Sequence, residues 1–323
     1  MNPILPGAPW LVAHRSMLSA DRPYKITLNG NDYVLWRDNE DRIAAIANVC
    51  PHLQAPLSEG WIDPKRGTIT CPFHALEFDG KGCLWQNDAP QGKPLLETLE
   101  LAIVDDFIWT YGGFEPRLPI PELHQRIAGE YEFVGVSGSK SIQGDFLTSL
   151  LINYDYNHQN GTHRELFRVR ENPISNYEEN GYYTKLVQTV VCEKNTWLEI
   201  LQNPAILMTP KTYDANMEYA FPSTTVFSTK MGAFEIAQVH ILYPETSDRT
   251  RTFVLCFAKF KNPLLKPLVK NFLLKAVDTV VEQDSTAIEH SYPRSRPKIR
   301  LPKEEVMDYA IGLYQNWPPG IKN

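Results

Sequence analysis

The sequence predicts an α+β protein of two domains within 323 residues. Residues 1–125 read as a small all-β domain, and residues 126–323 as a curved antiparallel sheet packed by helices. Three observations carry this. From 20 to 113 the chain runs in short apolar segments broken by turn signals. From 180 to 260 the extended segments lengthen. Helical periodicity is confined to two stretches, 146–158 and 265–289.

In the first part, Tyr24–Leu28 and Tyr33–Arg37 flank Asn29-Gly30, a strong hairpin signal. The strands Arg42–Ala47 and Thr68–Thr70 each lead into a loop carrying cysteine and histidine. Leu101–Val104 and Phe107–Tyr111 close the region. Five of the seven tryptophans fall before residue 110, as suits a small aromatic-rich β domain. Pro116, Pro119 and Pro121 then break the pattern, which sets the boundary near residue 125. In the second part, Leu147, Leu151, Tyr154 and His158 share one face of a helix over 146–158. Lys185–Val191, Phe234–Tyr243 and Thr252–Phe260 read as strands, with a turn at Pro244–Asp248. A last helix over 265–289 carries the apolar stripe Phe272, Ala276, Val277, Val280, Val281, Ala287 and Ile288. The tail beyond it reads as a loop-rich strap.

A net charge of −6 with no basic block argues against nucleic acid as a partner. No apolar run approaches the length of a membrane span. The basic and apolar stretch 266–275 reads as a solvated helix face over a core rather than a membrane anchor. The N-terminus lacks the regions of a signal peptide, and an odd count of five cysteines argues against a disulfide framework. A cytoplasmic protein is expected, with Cys83, Cys192 and Cys256 as reduced thiols.

The chemistry begins at Cys50-Pro51-His52 and Cys71-Pro72-Phe73-His74, with eighteen residues between them. Two Cys and two His could hold zinc, but zinc sites usually pair Cys with Cys and His with His. Here each half is mixed. Joining the halves gives two sulfurs to one iron and two nitrogens to the other, the ligation of a Rieske [2Fe-2S] centre. A second constellation lies downstream. His158, His163 and Asp284 offer two neutral nitrogens and a carboxylate, the facial triad that holds non-haem Fe(II) with open positions. Asp284 falls within the apolar stripe of the last helix, where an acid is costly unless something positive meets it. His158 and His163 lie about 140° apart on an ideal helix, so the chain must break between them, and Gly161 is placed to allow it. His14, His124 and His290 read as satisfied or surface histidines. His240, on an extended segment, is a candidate substrate contact.

The run from Cys50 to Gly60 and the run from Cys71 to Asp79 resemble the two cluster loops of the Rieske-type ring-hydroxylating oxygenases, in their terminal oxygenase alpha subunit. That family usually has Gly-Trp after the second histidine, where this chain has Ala75-Leu76. Asp155, His158 and His163 fall where the family has a bridging acid and two iron histidines, and Asp284 where it has the third ligand. Asn153 stands two residues before the acid, closer than the family's asparagine. The resemblance implies a Rieske domain followed by a helix-grip, START-like catalytic domain with an apolar cavity. It implies O₂ activation that hydroxylates, dihydroxylates or demethylates an apolar or aromatic small molecule, with monooxygenation favoured. It further implies that Asp155 orients His158 and contacts His74 of a neighbouring subunit in a homotrimer. A separate ferredoxin or flavin-dependent reductase would supply electrons, since no nucleotide fingerprint occurs. The rival readings are an electron carrier whose second domain binds a ligand without oxygenase activity, and a ligand-binding module with a redox-sensing cluster.

Overall fold

The Asn29-Gly30 dipeptide does what its type predicts. Both residues have positive φ, 51° and 83°, and they join β2 (Tyr24–Leu28) to β3 (Asn31–Arg37) with Leu28 opposite Asn31. The computed structural model describes residues 2–193, 196–197, 210–231, 234–262, 266–292 and 297–322. These form two compact units, one of Met1–Ile120 with Tyr243–Ser247 and Pro319–Asn323, the other of Pro121–Leu242 with Asp248–Pro318.

The first unit is built of short strands in three antiparallel sheets. β4 (Ile43–Ala47) completes the β2-β3-β4 sheet, and β1 (Trp10–His14) pairs with β11 (Phe107–Thr110), which pairs with β10 (Ala102–Val104). The third sheet runs in sequence order from β5 (Trp61–Asp63) through β6 (Thr68–Thr70), β7 (Glu77–Phe78) and β8 (Leu84–Gln86) to β9 (Ala89–Gln91). Val34, Trp36, Ile46, Ile69 and Phe78 form a core that also contains Cys50 and Cys71. Trp36 satisfies its indole by donating to the Gly67 carbonyl at 2.9 Å.

The second unit holds one eight-stranded sheet. Its path is β12 (Glu132–Gln143), β19 (Arg249–Phe260), β18 (Phe234–Thr246), β17 (Thr224–Met231), β16 (Thr212–Ala220), β15 (Tyr183–Cys192) and β13 (Val169–Glu171), with β14 (Ile174–Asn180) also paired to β15. The helices are α1 (Leu123–Glu130), α2 (Phe146–Tyr154), α3 (Arg164–Phe167), α4 (Lys266–Glu289) and α5 (Glu305–Gln315). Val134, Val254, Cys256 and Ala258 of the sheet pack against Leu273, Val277 and Val281 of α4. Each such valine or leucine side chain contributes about 1.5–3 kcal/mol by leaving water.

A bulge between Ser137 and Lys140 fixes α4 along the sheet. There Gly138 adopts φ +61°, and its N–H donates to Asp278 Oδ1 at 2.7 Å, as does the Ser137 hydroxyl at 2.7 Å. A Cβ on Gly138 would stand 2.6 Å from Val281 Cγ2, so glycine is required both for conformation and for space. Asp278 is thereby anchored on the helix that carries Asp284.

Several elements differ from expectation. The helix expected over 146–158 ends at Tyr154, because Asp155 turns out of helical geometry (φ −96°, ψ 88°) and its carboxylate accepts from Asn157 N at 2.9 Å. His158 instead opens a separate 3₁₀ turn, His158–Asn160. Gly161 has φ −106°, which any residue adopts, so its freedom is not what turns the chain. β18 runs straight through Pro244, leaving only a two-residue turn at Ser247-Asp248. The tail contains α5, whose Val306 and Ala310 are fully buried and whose Tyr314 stacks on Phe146. The helix expected from Leu265 is described from Lys266; Leu265 and residues 194–195, 198–209 and 232–233 lie outside the described residues.

Replacing Gly138 by alanine combines a left-handed backbone penalty with overpacking. Gly138→Ala is expected to cost about 2–4 kcal/mol, read as a lowered denaturation midpoint in urea.

Candidate metal centres

The two loops of the first unit are near copies of each other. Cys50 N donates to Ala55 O and Cys71 N to Leu76 O, both at 2.8 Å. Gln54 N returns to Cys50 O at 3.0 Å and Ala75 N to Cys71 O at 3.1 Å. The fourth residue after each cysteine is left-handed, Gln54 at φ 61° and Ala75 at φ 53°. The geometry explains why a glycine would be at ease where this chain has Ala75. Asn48 closes the first loop, accepting from Ser58 N at 2.7 Å. Gly60 lets that loop lie against β6, since a Cβ there would meet Thr70 O at 1.8 Å.

This pairing sorts the side chains by chemistry. The Cys50 and Cys71 thiols are buried and face one another, while His52 and His74 are exposed, with ring centroids 4.7 Å apart. Burial pushes the Cys50 thiol up, partly opposed by main-chain N–H groups of His52 and Leu53 aimed at its sulfur. A sulfur pair inside and a nitrogen pair outside fits a [2Fe-2S] group with unlike irons. Cys83 is also buried, and its N–H donates to Asp79 Oδ1 at 2.8 Å; all five cysteines are free.

In the second unit, three separate elements meet at one point. His158 comes from the 3₁₀ turn, His163 from the residue before α3, and Asp284 from the inward face of α4. His163 Nε2 lies 3.0 Å from Asp284 Oδ1, and His158 Nε2 lies 3.5 Å from it. The two Nε2 atoms are 3.2 Å apart. Each ring spends its other nitrogen elsewhere. His163 Nδ1 donates to Gln283 Oε1 at 2.8 Å, and His158 Nδ1 donates to the Asp155 main-chain carbonyl. Both Nδ1 atoms therefore carry the proton, and both Nε2 atoms present lone pairs.

Asp284 Oδ1 is buried without a hydrogen-bond partner. Three lone-pair acceptors thus converge with no donor among them, an arrangement that a shared positive charge resolves. A proton can take the place of that charge. Burial works against the charge on Asp284, but the two imidazoles, when protonated at Nε2, outweigh it by hydrogen bonding and charge and hold the carboxyl at about 2. Burial likewise opposes charge on His158, and Asp284 more than compensates, raising it. The donor set of two nitrogens and one carboxylate fits a divalent iron.

Asp155 differs in detail from expectation: its carbonyl, not its carboxylate, orients His158. Gln283, which helical position places to the side of the stripe, is the residue that sequence reasoning missed. A Gln beside an inward Asp is the only signal it leaves. Two further supports come from the strap. The Tyr156 hydroxyl donates to Lys303 O, and Asn157 Nδ2 donates to Pro302 O at 3.1 Å. Lys303 Nζ in turn reaches Ile174 O at 3.0 Å.

Beside the triad opens a cavity of ≈ 150 Å³, walled largely by aromatic, methionine and aliphatic side chains from β16, β17, β18 and α4. Asn153 and Asp155 line it as well, as does His240, which burial lowers to about 4.

Two family models match the chain: the Rieske [2Fe-2S] domain over residues 8–100 and the vanillate O-demethylase oxygenase C-terminal domain over residues 154–310. The chain belongs to the Rieske-type oxygenases, in which these two domains are joined. Among curated relatives it is 31% identical over 163 residues to the oxygenase component of dicamba O-demethylase of Stenotrophomonas maltophilia, covering 48% of this chain and 47% of that protein. It is 28% identical over 179 residues to the vanillate O-demethylase oxygenase subunit of Pseudomonas sp. strain HR199, covering 53% and 50%. The matched stretch thus spans half or less of each of these relatives. Dicamba monooxygenase bound to dicamba shares the fold, with a TM-score of 0.73 at 20% identity over 97% of this chain and 98% of that one.

Gln283→Leu removes the acceptor that sets the His163 tautomer and is expected to weaken iron binding about 10–100-fold, measured by competition with a chelator. Ala75→Gly relieves a left-handed alanine, and the first unit is expected to gain up to about 1 kcal/mol in thermal unfolding while keeping its cluster absorption.

Proposed function

We propose that this chain is the terminal oxygenase component of a multi-protein system. It would use a [2Fe-2S] cluster held by Cys50, His52, Cys71 and His74, and a mononuclear Fe(II) held by His158, His163 and Asp284. When bound, the cluster supplies single electrons and the Fe(II) supplies O₂ activation. The reaction is hydroxylation or demethylation of an apolar or aromatic small molecule, with monooxygenation preferred over dihydroxylation. That preference is supported by relatives named as O-demethylases and by a structural neighbour named as a monooxygenase.

The observation that carries this reading is the convergence of three largely buried acceptors on one point without a donor among them. An electron carrier with a ligand-binding second domain has no use for that arrangement. The chain's own groups do the positioning. The Asp155 carbonyl and Gln283 amide hold the Nδ1 protons, so both Nε2 atoms stay available. Phe227, Phe234, Val277 and Val280 line the adjoining cavity and keep it poor in water. One Asp155 carboxylate oxygen accepts from Asn157 N. The carboxylate would also accept from the partner subunit's His74, making it the bridging acid between centres on different chains. The exposed cluster histidines suit such a contact.

The working unit is accordingly a homotrimer, cytoplasmic, and served by a ferredoxin or flavin-dependent reductase. Function divides near residue 125, with the cluster before it and the iron and substrate after it. No helix among the described residues is long and apolar enough to cross a membrane.

The test is iron stoichiometry joined to O₂ uptake. The intact protein is expected to hold about three iron atoms per chain, two of them in the cluster. Asp284→Ala is expected to hold about two, to keep the cluster spectrum, and to lose substrate-dependent O₂ uptake at least about 100-fold. Full uptake in Asp284→Ala would rule the reading out.

A further inference from the structure

The interior face of β15 carries a residue at odds with its neighbours. Thr184, Leu186, Gln188 and Val190 point to one side of that strand, and all four are buried. Gln188 is 0% exposed, with Leu186 and Val190 on either side of it along the strand and Ala215 opposite it on β16. A carboxamide in such a row is costly unless both of its ends are met. Among the described residues one side chain meets them. Gln159 Nε2 donates to Gln188 Oε1 at 3.3 Å, and Gln188 Nε2 donates to Gln159 Oε1 at 3.4 Å.

Stability alone does not account for this pair. Both bonds are long for N–H···O contacts, and two apolar side chains of the same shape would serve a core about as well or better. What two reciprocal bonds add is a fixed position and orientation, since neither amide can swing away without losing both.

That constraint bears on His158, the residue before Gln159 in the 3₁₀ turn. The main-chain bonds of the turn are local: Gly161 N and Thr162 N both return to His158 O, and Asn160 N to Asn157 O. The His158 ring is oriented by Asp155, three residues away, which sets it relative to its own turn and not to α4. Pro302 and Lys303 hold the preceding residues, Tyr156 and Asn157, to the strap. The sheet is the frame on which α4, and with it Asp284, is fixed through Ser137 and Gly138. The Gln159–Gln188 pair joins the turn to that same frame.

We infer that Gln188 is a positioning residue: through Gln159 it holds the turn of His158 against the sheet, so that His158 Nε2 meets Asp284 and His163 at the spacing one divalent ion needs. Among the described residues Gln188 makes no hydrogen bond to the triad and acts through its partner. The inference rests on the reading of the triad as an iron site.

The test uses the full chain with its cluster, without oxygen, at pH 6. Fe(II) affinity of the second site is read by competition with a chelator, and folding by the thermal unfolding midpoint. Gln188→Met and Gln159→Met each break the pair and are expected to weaken Fe(II) binding about tenfold. The two changes together are expected to show the same loss of about tenfold rather than about a hundredfold, because either one removes both bonds. The midpoint of this double variant is expected to equal or exceed that of the wild type, since no amide is left without a partner. It decides the matter if a single variant fails to fold. Gln188→Glu supplies a buried carboxyl that stays protonated at pH 6 and then donates and accepts as the amide does. Its affinity is expected to lie within about twofold of wild type. Unchanged affinity in the double variant overturns the inference, as do additive losses, a loss matched by a lowered midpoint, or no recovery in Gln188→Glu. A wild-type chain with about three irons and an indifferent double variant defeats this inference alone, whereas about two irons defeats the iron reading with it.

Discussion

Asp284 Oδ1, His158 Nε2 and His163 Nε2 lie within 3.0–3.5 Å of one another, and none of them has a proton to offer the others. Left alone, that is an unfavourable meeting of lone pairs in a place poor in water. The second unit is arranged to enforce it nonetheless. The two imidazole protons are drawn outward, one by the Asp155 carbonyl and one by Gln283, and the carboxylate is carried in on a helix that cannot slide. Folding here prepares a demand for positive charge that no lysine or arginine among the described residues lining the site meets.

Each support comes from a different part of the chain. Gln283 stands beside Asp284, so the helix that brings one candidate ligand also orients another, His163. The bulge at Gly138 sets the height of that helix through Asp278, six positions before the ligand. In the first unit the candidate ligands are built differently, on two loops with matching main-chain bonds whose cysteines belong to the hydrophobic core. A cluster needs four atoms of fixed spacing, and rigid twin loops provide them. An iron that must bind and release reactants is better served by elements that converge from a distance.

This contrast also governs what could be read from the residues. The candidate cluster residues were legible because each pair is local, and mixed Cys and His spacing has few other uses. Asp284 was legible because an acid on an apolar stripe violates helical patterning. Gln283 was not, since a polar residue at the edge of a stripe looks like ordinary solvent-facing surface. The end of α2 at Tyr154 was missed for a related reason: Leu147, Leu151 and His158 keep helical spacing, but the Asp155 carboxylate takes the Asn157 N–H. The helix α5 was obscured by nearby prolines, although Val306, Ala310 and Tyr314 recur at steps of four. Three of the long strands, β15, β18 and β19, were plain from their extended apolar runs, whereas β12 was not anticipated and the pairing order rests on long-range contacts that no local pattern encodes.

The clasp of Pro302 and Lys303 on Tyr156 and Asn157 has a temporal side. During synthesis the turn bearing His158 leaves the ribosome long before the residues that hold it. At about 5–20 residues per second, the intervening stretch takes on the order of 10–30 seconds to make. For most of that interval the nascent chain lacks both the clasp and Asp284, so the candidate metal seat is unfinished. The order in which the sequence is written leaves the two imidazoles without their carboxylate until the polypeptide is nearly complete.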